Sequence, residues 1–204
     1  MPDNFYRNYG KRIFDFCFAV IGTLFCLPLI MGISLMIKLF DGGPVFFKQV
    51  RVGKDFKKFT MYKFRTMIAT DDTNGPLVTA PQDSRVTKIG SWLRKFKLDE
   101  LPQLINVLRG DIALVGPRPE MEKFVNYYRK EYTEVLSIYP GITDDASLKY
   151  KDEAKLLREA EDVESEYLQN ILPEKIKMYQ KYLGEMSFRK DVSLILRTMQ
   201  EIFS

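Results

Sequence analysis

From Phe16 to Ile37 the chain carries no charged residue, and this run of 22 limits the folds open to it more than any other stretch. As one helix it would be about 33 Å long, enough to cross the hydrocarbon of a bilayer. It is apolar all round, without the polar stripe of a soluble surface helix. It is too long for a cleavable signal peptide, and no small-residue cleavage site follows it. Two features set it apart from a plain spanning helix. Pro28 lies mid-run, where it removes a backbone hydrogen bond and crowds the preceding turn, kinking or breaking the helix. Basic residues flank both ends: Lys11 and Arg12 before it, then Lys38, Lys48, Arg51, Lys54, Lys57 and Lys58. The positive-inside bias draws both ends to the cytoplasmic face. A helix-break-helix that dips in and returns satisfies both features. A kinked single-pass anchor is the alternative, and these two arguments do not separate them.

The rest of the chain is long enough for one domain with a full core. Its charge is uneven: residues 1–120 carry a net +7 and residues 121–204 a net −3. The first part suits anionic partners such as phosphates, nucleotides or lipid headgroups. There is no histidine, which excludes Ser-His-Asp and Cys-His catalysis and His-based zinc sites. The two cysteines, Cys17 and Cys26, both lie in the apolar run and form no disulfide framework, which fits a reducing compartment. Acid–base and metal chemistry therefore falls to Asp, Glu, Lys, Tyr and water.

Beyond the turn Asp41-Gly42-Gly43-Pro44, residues Val45–Val50 and Lys58–Phe64 read as two strands joined through Gly53-Lys54-Asp55, a β-hairpin whose end releases Lys63 and Arg65 together. Asp71–Ser84 reads as a loop. Ile89, Trp92, Leu93 and Phe96 fall at helical spacing, with Arg94, Lys95 and Lys97 on the other face. That pattern suits an amphipathic helix lying on an anionic membrane surface and, in isolation, equally an ordinary core-facing helix; the preceding membrane segment favours the interfacial reading. Gln103–Leu108 reads as helix stopped by Gly110. Glu120–Ile138, Asp152–Leu172, Glu174–Met186 and Ser187–Phe203 read as four further helices, the last with Ser187 as N-cap. The fold class is α+β, mainly helical.

Between the basic helix and Gln103 stand Asp99 and Glu100, followed by Pro102. An Asp-Glu pair there can be a helix cap with an acidic first turn. It can also be chemistry. Neither phosphate-binding motif, G-x-x-x-x-G-K-[S/T] or G-x-G-x-x-G, is present. Phosphates would be met by Arg, Lys, a metal ion and a helix N-terminus. A carboxylate at such an N-terminus, with Arg94 about a turn earlier, can attack phosphorus to give an acyl-phosphate, while its neighbour binds Mg2+ through oxygen.

Several ordered blocks now make a pattern: Lys11-Arg12-x-x-Asp15; Gly43-Pro44-Val45-Phe46-Phe47-Lys48-Gln49-x-Arg51-x-Gly53; Tyr62-Lys63-Phe64-Arg65-Thr66-Met67; Leu93-Arg94-x-x-x-Leu98-Asp99-Glu100-Leu101-Pro102-Gln103; Val115-Gly116-Pro117-Arg118-Pro119-Glu120; and Pro140-Gly141-Ile142-Thr143. With them the chain resembles the bacterial sugar transferases, monotopic phosphoglycosyl transferases, over nearly its whole length. The resemblance implies transfer of a sugar-1-phosphate from a UDP-sugar to undecaprenyl phosphate, with release of UMP, by a Mg2+-dependent ping-pong route that opens glycoconjugate assembly (capsule, O-antigen, exopolysaccharide or glycoprotein glycan). Asp99 would match the nucleophile, Glu100 the Mg2+ ligand, Arg94 a phosphate contact and Arg118 a donor-site residue; Lys63 and Arg65 join the substrate-binding set.

The resemblance also implies a re-entrant membrane segment broken at Pro28, entered through Lys11, Arg12 and Asp15. Residues 1–40 would be membrane-inserted and 41–204 catalytic, on the cytoplasmic face of the bacterial inner membrane. The expected partners are the two substrates and membrane lipids; a homodimer stays open, and nucleic acid is not expected. Longer relatives carry a multi-pass N-terminal part, so the chain reads as a minimal catalytic form. Two departures stand out: Leu27 occupies the place before the membrane Pro where Ser is common, and Asp144–Lys149 replaces the Gly-Trp-Ala-Gln-Val-Asn-Gly that often follows Pro-Gly-Ile-Thr. The rival readings are a catalytically silent membrane-surface protein that binds nucleotide sugars or acts as a scaffold, and a membrane-anchored phosphohydrolase.

Overall fold

The computed structural model describes residues 5–68, 85–157 and 162–203. The apolar run lies within one helix, Tyr6–Asp41, of 36 residues. Its α-helical body is α1, Lys11–Met36, with a single π-helical turn at either end. The helix is not interrupted at Pro28. A proline inside a helix forfeits one hydrogen bond but leaves the remaining ladder intact, so helical geometry can continue past it.

One stripe of α1 faces the rest of the protein along its length. Phe14, Asp15, Ala19, Ile33 and Ile37 are buried; Gly22, Cys26 and Ile30 between them are half-buried. These residues recur every three or four positions, the spacing of one helical face. The opposite face exposes Ile21, Leu24, Phe25, Leu29, Met31, Leu35 and Phe40. A soluble monomer rarely presents apolar surface on that scale.

The hairpin forms as expected from β1 (Phe46–Val52) and β2 (Lys58–Phe64), antiparallel, with Phe46 opposite Phe64 and Val52 opposite Lys58. The basic helix is α2, Lys88–Lys95, N-capped by Thr87, whose side chain accepts from the Gly90 N–H at 2.8 Å. Leu93 is wholly buried and Trp92 is 44% exposed. Leu93 joins Ile33, Ile37 and Phe64 in one cluster, so the far end of α1 is packed on the hairpin and α2. The near half packs on α3 (Gln103–Arg109) through Ala19, Val107 and Ile112. Gly110, at φ +87°, ends α3 where only a residue without Cβ is comfortable.

Several elements differ from the sequence expectation. Pro-Gly-Ile-Thr is not only a turn: Gly141–Thr143 forms β4, parallel to β3 (Ala113–Val115). A Cβ on Gly141 would fall 2.2 Å from the Gly116 nitrogen, so glycine alone allows these strands to close up. The expected helix Glu120–Ile138 is two helices, α4 (Glu122–Tyr127) and α5 (Arg129–Val135). The kink at Tyr128 lets Phe124 and Val125 reach the same core cluster as Tyr132 and Val135, while the Tyr128 hydroxyl donates to the Leu168 carbonyl at 2.8 Å.

Beyond α6 (Asp145–Lys149), the expected helix Asp152–Leu172 is also divided. A short α7 (Glu153–Leu156) precedes α8 (Val163–Glu166), which starts afresh because Asp162 caps it through the Glu164 and Ser165 N–H groups. The helices α9 (Leu172–Glu185) and α10 (Phe188–Phe203) close the chain, with Ser187 accepting from the Lys190 N–H. The loop expected over Asp71–Ser84 lies outside the described residues.

Candidate active site

The Asp-Glu pair sits one turn upstream of its expected place. Asp99 and Glu100 lie in a separate 3-10 turn, Leu98–Glu100, which runs into α3 through Leu101 and Pro102. Pro102 has no N–H to give an α-helical bond to the Leu98 carbonyl, and the Leu101 N–H takes that carbonyl instead at 3.2 Å. The turn is entered through Lys97 at φ +55°, a left-handed conformation in a residue with a Cβ. Such outliers cost about 1 kcal/mol or more and gather at functional sites.

The two carboxylates meet different surroundings. Glu100 accepts from Lys63 Nζ at 2.6 Å and from Arg118 Nη2 at 2.5 Å. Burial pushes the Glu100 carboxyl up, but Arg118 and Lys63 outweigh it and hold it well below the usual carboxylate range. The Glu100 charge in turn raises the Arg118 pKa against the effect of burial. Lys63 is pushed down by burial, only partly offset by Glu100. Asp99 is only 9% exposed. Burial is the largest influence on it and raises its pKa; Lys63, Arg94 and Lys97 pull it back, and Glu100 pushes it further up. Arg94 is oriented by its Nε–H, which donates to Thr66 Oγ1 at 2.9 Å. Lys63, Arg94, Asp99, Glu100 and Arg118 therefore form one charged site.

Arg118 is presented by a rigid turn. The Gly141 N–H donates to the Pro117 carbonyl at 2.8 Å, and the Val52 N–H to the Glu120 carbonyl at 3.0 Å. Glu120 is buried, accepts from the Tyr167 hydroxyl at 2.6 Å and lies 3.5 Å from Arg51 Nη1. Sequence reasoning assigned no role to Glu120, Tyr167 or Asn106. Asn106 is fully buried in α3, accepts from the Tyr62 N–H at 3.0 Å and donates to the Thr60 carbonyl at 2.7 Å and Asp111 at 2.9 Å, which ties the hairpin to the helix below the site. An Asn inside a short helix was a legible signal, because Asn favours caps and turns over helix interiors.

The remaining candidates lie elsewhere. Lys11, Arg12 and Asp15 fasten α1 to the body. Lys11 pairs with Asp191 at 2.6 Å, Arg12 donates to the Val107 and Ile112 carbonyls, and Asp15 accepts from the Leu114 N–H at 3.1 Å. Asp191 is fully buried and also accepts from the Tyr6 and Tyr182 hydroxyls. Arg65 does not meet Glu100 as Lys63 does; it turns to the Asp41 and Gly42 carbonyls at the end of the long helix. Pro28 is exposed on α1.

A family model described as "Bacterial sugar transferase" matches residues 6–204. The chain is 40% identical over 150 residues to a putative undecaprenyl-phosphate N-acetylgalactosaminyl 1-phosphate transferase of Bacillus subtilis, covering 71% of this chain and 80% of that one. It is 36% identical over 199 residues to a UDP-glucose:undecaprenyl-phosphate glucose-1-phosphate transferase of Caulobacter vibrioides, covering 95% and 70%. It is 35% identical over its full length to a UDP-N-acetylgalactosamine-undecaprenyl-phosphate N-acetylgalactosaminephosphotransferase of Aeromonas hydrophila, spanning 46% of that longer protein. The site just described lies within residues 6–204, which the family model matches, and the chain belongs to the bacterial sugar transferase family.

Proposed function

We propose that this protein transfers a sugar-1-phosphate from a UDP-sugar to undecaprenyl phosphate, as the first membrane step of glycoconjugate synthesis. In the first half-reaction an Asp99 carboxylate oxygen forms a bond to the β-phosphorus of the donor, and the bond to the α-phosphate breaks, releasing UMP. In the second, an oxygen of the lipid phosphate bonds to the same phosphorus and Asp99 is freed. The observation that carries this reading is the division of labour between neighbours. Glu100 is clamped as an anion by Lys63 and Arg118, whereas Asp99 is buried beside Lys63 and Arg94, where cations reduce the repulsion between a carboxylate and a phosphate. The reading is further supported by the relatives, whose names give undecaprenyl phosphate as acceptor and, for two of them, a UDP-sugar as donor.

Mg2+ fits this site. Among the described residues no three carboxylates or cysteines gather to hold a metal. Mg2+ in phosphoryl-transfer sites needs only one or two carboxylates, with phosphate oxygens and water completing six ligands. Glu100, held ionised, is the carboxylate that would hold the ion. When bound by Glu100, the ion would supply neutralisation of the diphosphate charge. Arg118 and Lys63 orient Glu100, and Arg94 faces the phosphoryl group that Asp99 attacks.

The membrane reading is monotopic, on the cytoplasmic face. Its support is that both halves of the long helix pack on one body. Phe14 and Ala19 join clusters with β3 and α3, and Ile33 and Ile37 join one with β2 and α2. Two ends tied to the same charged body do not reach opposite sides of a bilayer, because that body would have to enter hydrocarbon. Cysteines introduced at Phe5 and Val45 should both resist a membrane-impermeant thiol reagent added to intact cells, once Cys17 and Cys26 are removed; labelling of one end from outside overturns the topology.

The reaction is tested by UMP release from a panel of UDP-sugars in detergent with undecaprenyl phosphate. Wild type should release UMP, Asp99→Asn should not, and a sugar-phosphate adduct should be trapped on Asp99. Normal turnover by Asp99→Asn overturns the mechanism. Binding of a UDP-sugar with no UMP release from any donor favours the catalytically silent reading.

A further inference from the structure

We propose that Arg65 forms a phosphate subsite separate from the Glu100–Arg118 end of the active site, and that its ligand is the phosphate monoester of the lipid acceptor. Arg65 is 8% exposed, yet among the described residues no carboxylate pairs with it. The nearest candidate, Asp41, turns its carboxylate to the Thr87 hydroxyl at 2.8 Å. Arg65 Nη2 donates to the Asp41 carbonyl at 3.1 Å and to the Gly42 carbonyl. Its Nε is buried without a hydrogen-bond partner. Its Nη1 lies against Gly43, where a Cβ would come within 2.5 Å of it, so the turn is left bare at the guanidinium. A helix-end cap explains Nη2 only. A guanidinium withdrawn from water without a counter-charge is costly, and among the described residues its buried Nε has no acceptor, which is the state expected of an anion site.

Position decides which anion. Asp41 is the last residue of the long helix, whose exposed apolar side ends in Leu39 and Phe40, and exposed Phe46 and Phe47 follow directly in β1. Arg65 therefore lies at the turn that joins these two exposed apolar segments, where the tail of a lipid phosphate could rest. Arg118 stands on Glu100 instead. Arg65 is linked to the charged site through its neighbour: Thr66, next in the chain, accepts from Arg94, whose charge acts on Asp99. The identification of the lipid rests on the transfer reaction proposed above; the unpaired guanidinium does not.

The test is equilibrium binding in neutral-detergent micelles, using undecaprenyl phosphate, phosphatidylglycerol and UMP as separate probes for wild type, Arg65→Gln and Arg65→Lys. Arg65→Gln should bind undecaprenyl phosphate about 10- to 100-fold more weakly than wild type, the effect of losing charge-assisted hydrogen bonds. Arg65→Lys, which keeps the charge and guards against misfolding, should fall between, because an ammonium cannot reproduce the fork. UMP binding should stay within about twofold in both, as expected for sites without shared partners. Parallel loss of UMP and lipid-phosphate binding overturns the proposal, since Arg65 would then serve the donor or the fold. So does unchanged lipid-phosphate binding, or a loss confined to phosphatidylglycerol, which would make Arg65 a headgroup anchor. Binding is read without turnover, so a wild type that binds undecaprenyl phosphate but releases no UMP refutes the reaction and leaves the subsite standing.

Discussion

Replacing Asp99 and Glu100 one at a time by their amides removes one charge each and almost no volume. The structure gives the two changes opposite signs. Burial is the largest influence on Asp99 and raises its pKa, so the ionised form opposes folding near neutral pH. Asp99→Asn removes that opposition and should gain about 1 kcal/mol, typical of relief at an active site. Glu100→Gln leaves Lys63 and Arg118 facing each other without an anion. Losing one partner of a fully buried pair costs about 3–5 kcal/mol. The Lys63 and Arg118 side chains are 18% and 31% exposed. Solvent therefore screens part of this, and about 2 kcal/mol is the expected loss. For a chain this size about 1 kcal/mol moves Tm by about 2–4 °C.

Thermal unfolding followed by circular dichroism in one detergent at pH 7 should then show Asp99→Asn about 2–4 °C above wild type and Glu100→Gln about 4–8 °C below it. The pH dependence supplies a second check. The contribution of Asp99, with its folded pKa raised above the ordinary 3.8, is fully present below 3.8 and lost as pH rises through the folded value, so the advantage of Asn shrinks on acidification. The contribution of Glu100, with its folded pKa depressed below the ordinary 4.5, is present above 4.5 and lost as pH falls toward the folded value. Equal losses of Tm for the two amides would refute the assignment of opposite environments.

Two further outcomes are expected. The acid limb of the kcat/KM profile should lie above the ordinary Asp range, because in the proposed mechanism Asp99 attacks as the carboxylate and burial raises its pKa, while Glu100 stays ionised throughout; a limb at or below 3.8 would contradict this. Asp191→Asn should lower stability by about 2 kcal/mol, because it leaves buried Lys11 with only its longer contact to Asp15 at 3.7 Å, and limited proteolysis should then reach the start of the long helix; unchanged protection there would show that the Lys11–Asp191 pair does not hold α1 to the body.

The hairpin, the basic helix and the final helix were legible because each depends on local rules: alternation in Lys58–Phe64, the i, i+3, i+4 spacing from Ile89, and the Ser187 cap. The parallel pair β3–β4 was not. Each strand is three residues long, and what defines them is the close approach of Gly141 to Gly116 across the α4–α5 crossover, a contact with no periodic trace. The two overlong helices failed for a related reason. Amphipathic spacing continues through Tyr128, but the chain bends there so that both halves reach one core cluster, and that requirement is tertiary. At the site, Asp99, Glu100, Arg94, Lys63 and Arg118 could be read from residue type and motif. The residues that aim them could not. Glu120 and Tyr167 meet from positions 47 apart, and Asp191 binds Lys11 from 180 positions away, so no window along the chain contains both partners.

The separation of roles between two consecutive residues follows from the turn that carries them. In an α-helix, or in a 3-10 turn, neighbouring side chains cannot share a direction; with three residues per turn they diverge by about 120°. At Leu98–Glu100 this sends Leu98 into the cluster of Ile33, Ile37 and Leu93, Glu100 to Lys63 and Arg118, and leaves Asp99 to the remaining sector, where Arg94 and Lys97 act on its charge. The apolar residue fixes the rotation of the turn against the long helix, and the salt-bridged one fixes it against the hairpin and the Pro-Arg-Pro turn. Among the described residues no hydrogen bond holds the Asp99 carboxylate, so in the proposed mechanism it has none to break before attack. An Asp-Glu pair in the first turn of a regular helix would be oriented by capping bonds to its own backbone. The proline at 102, by stopping α-helical bonding at Leu98, is what converts a potential cap into a projecting carboxylate.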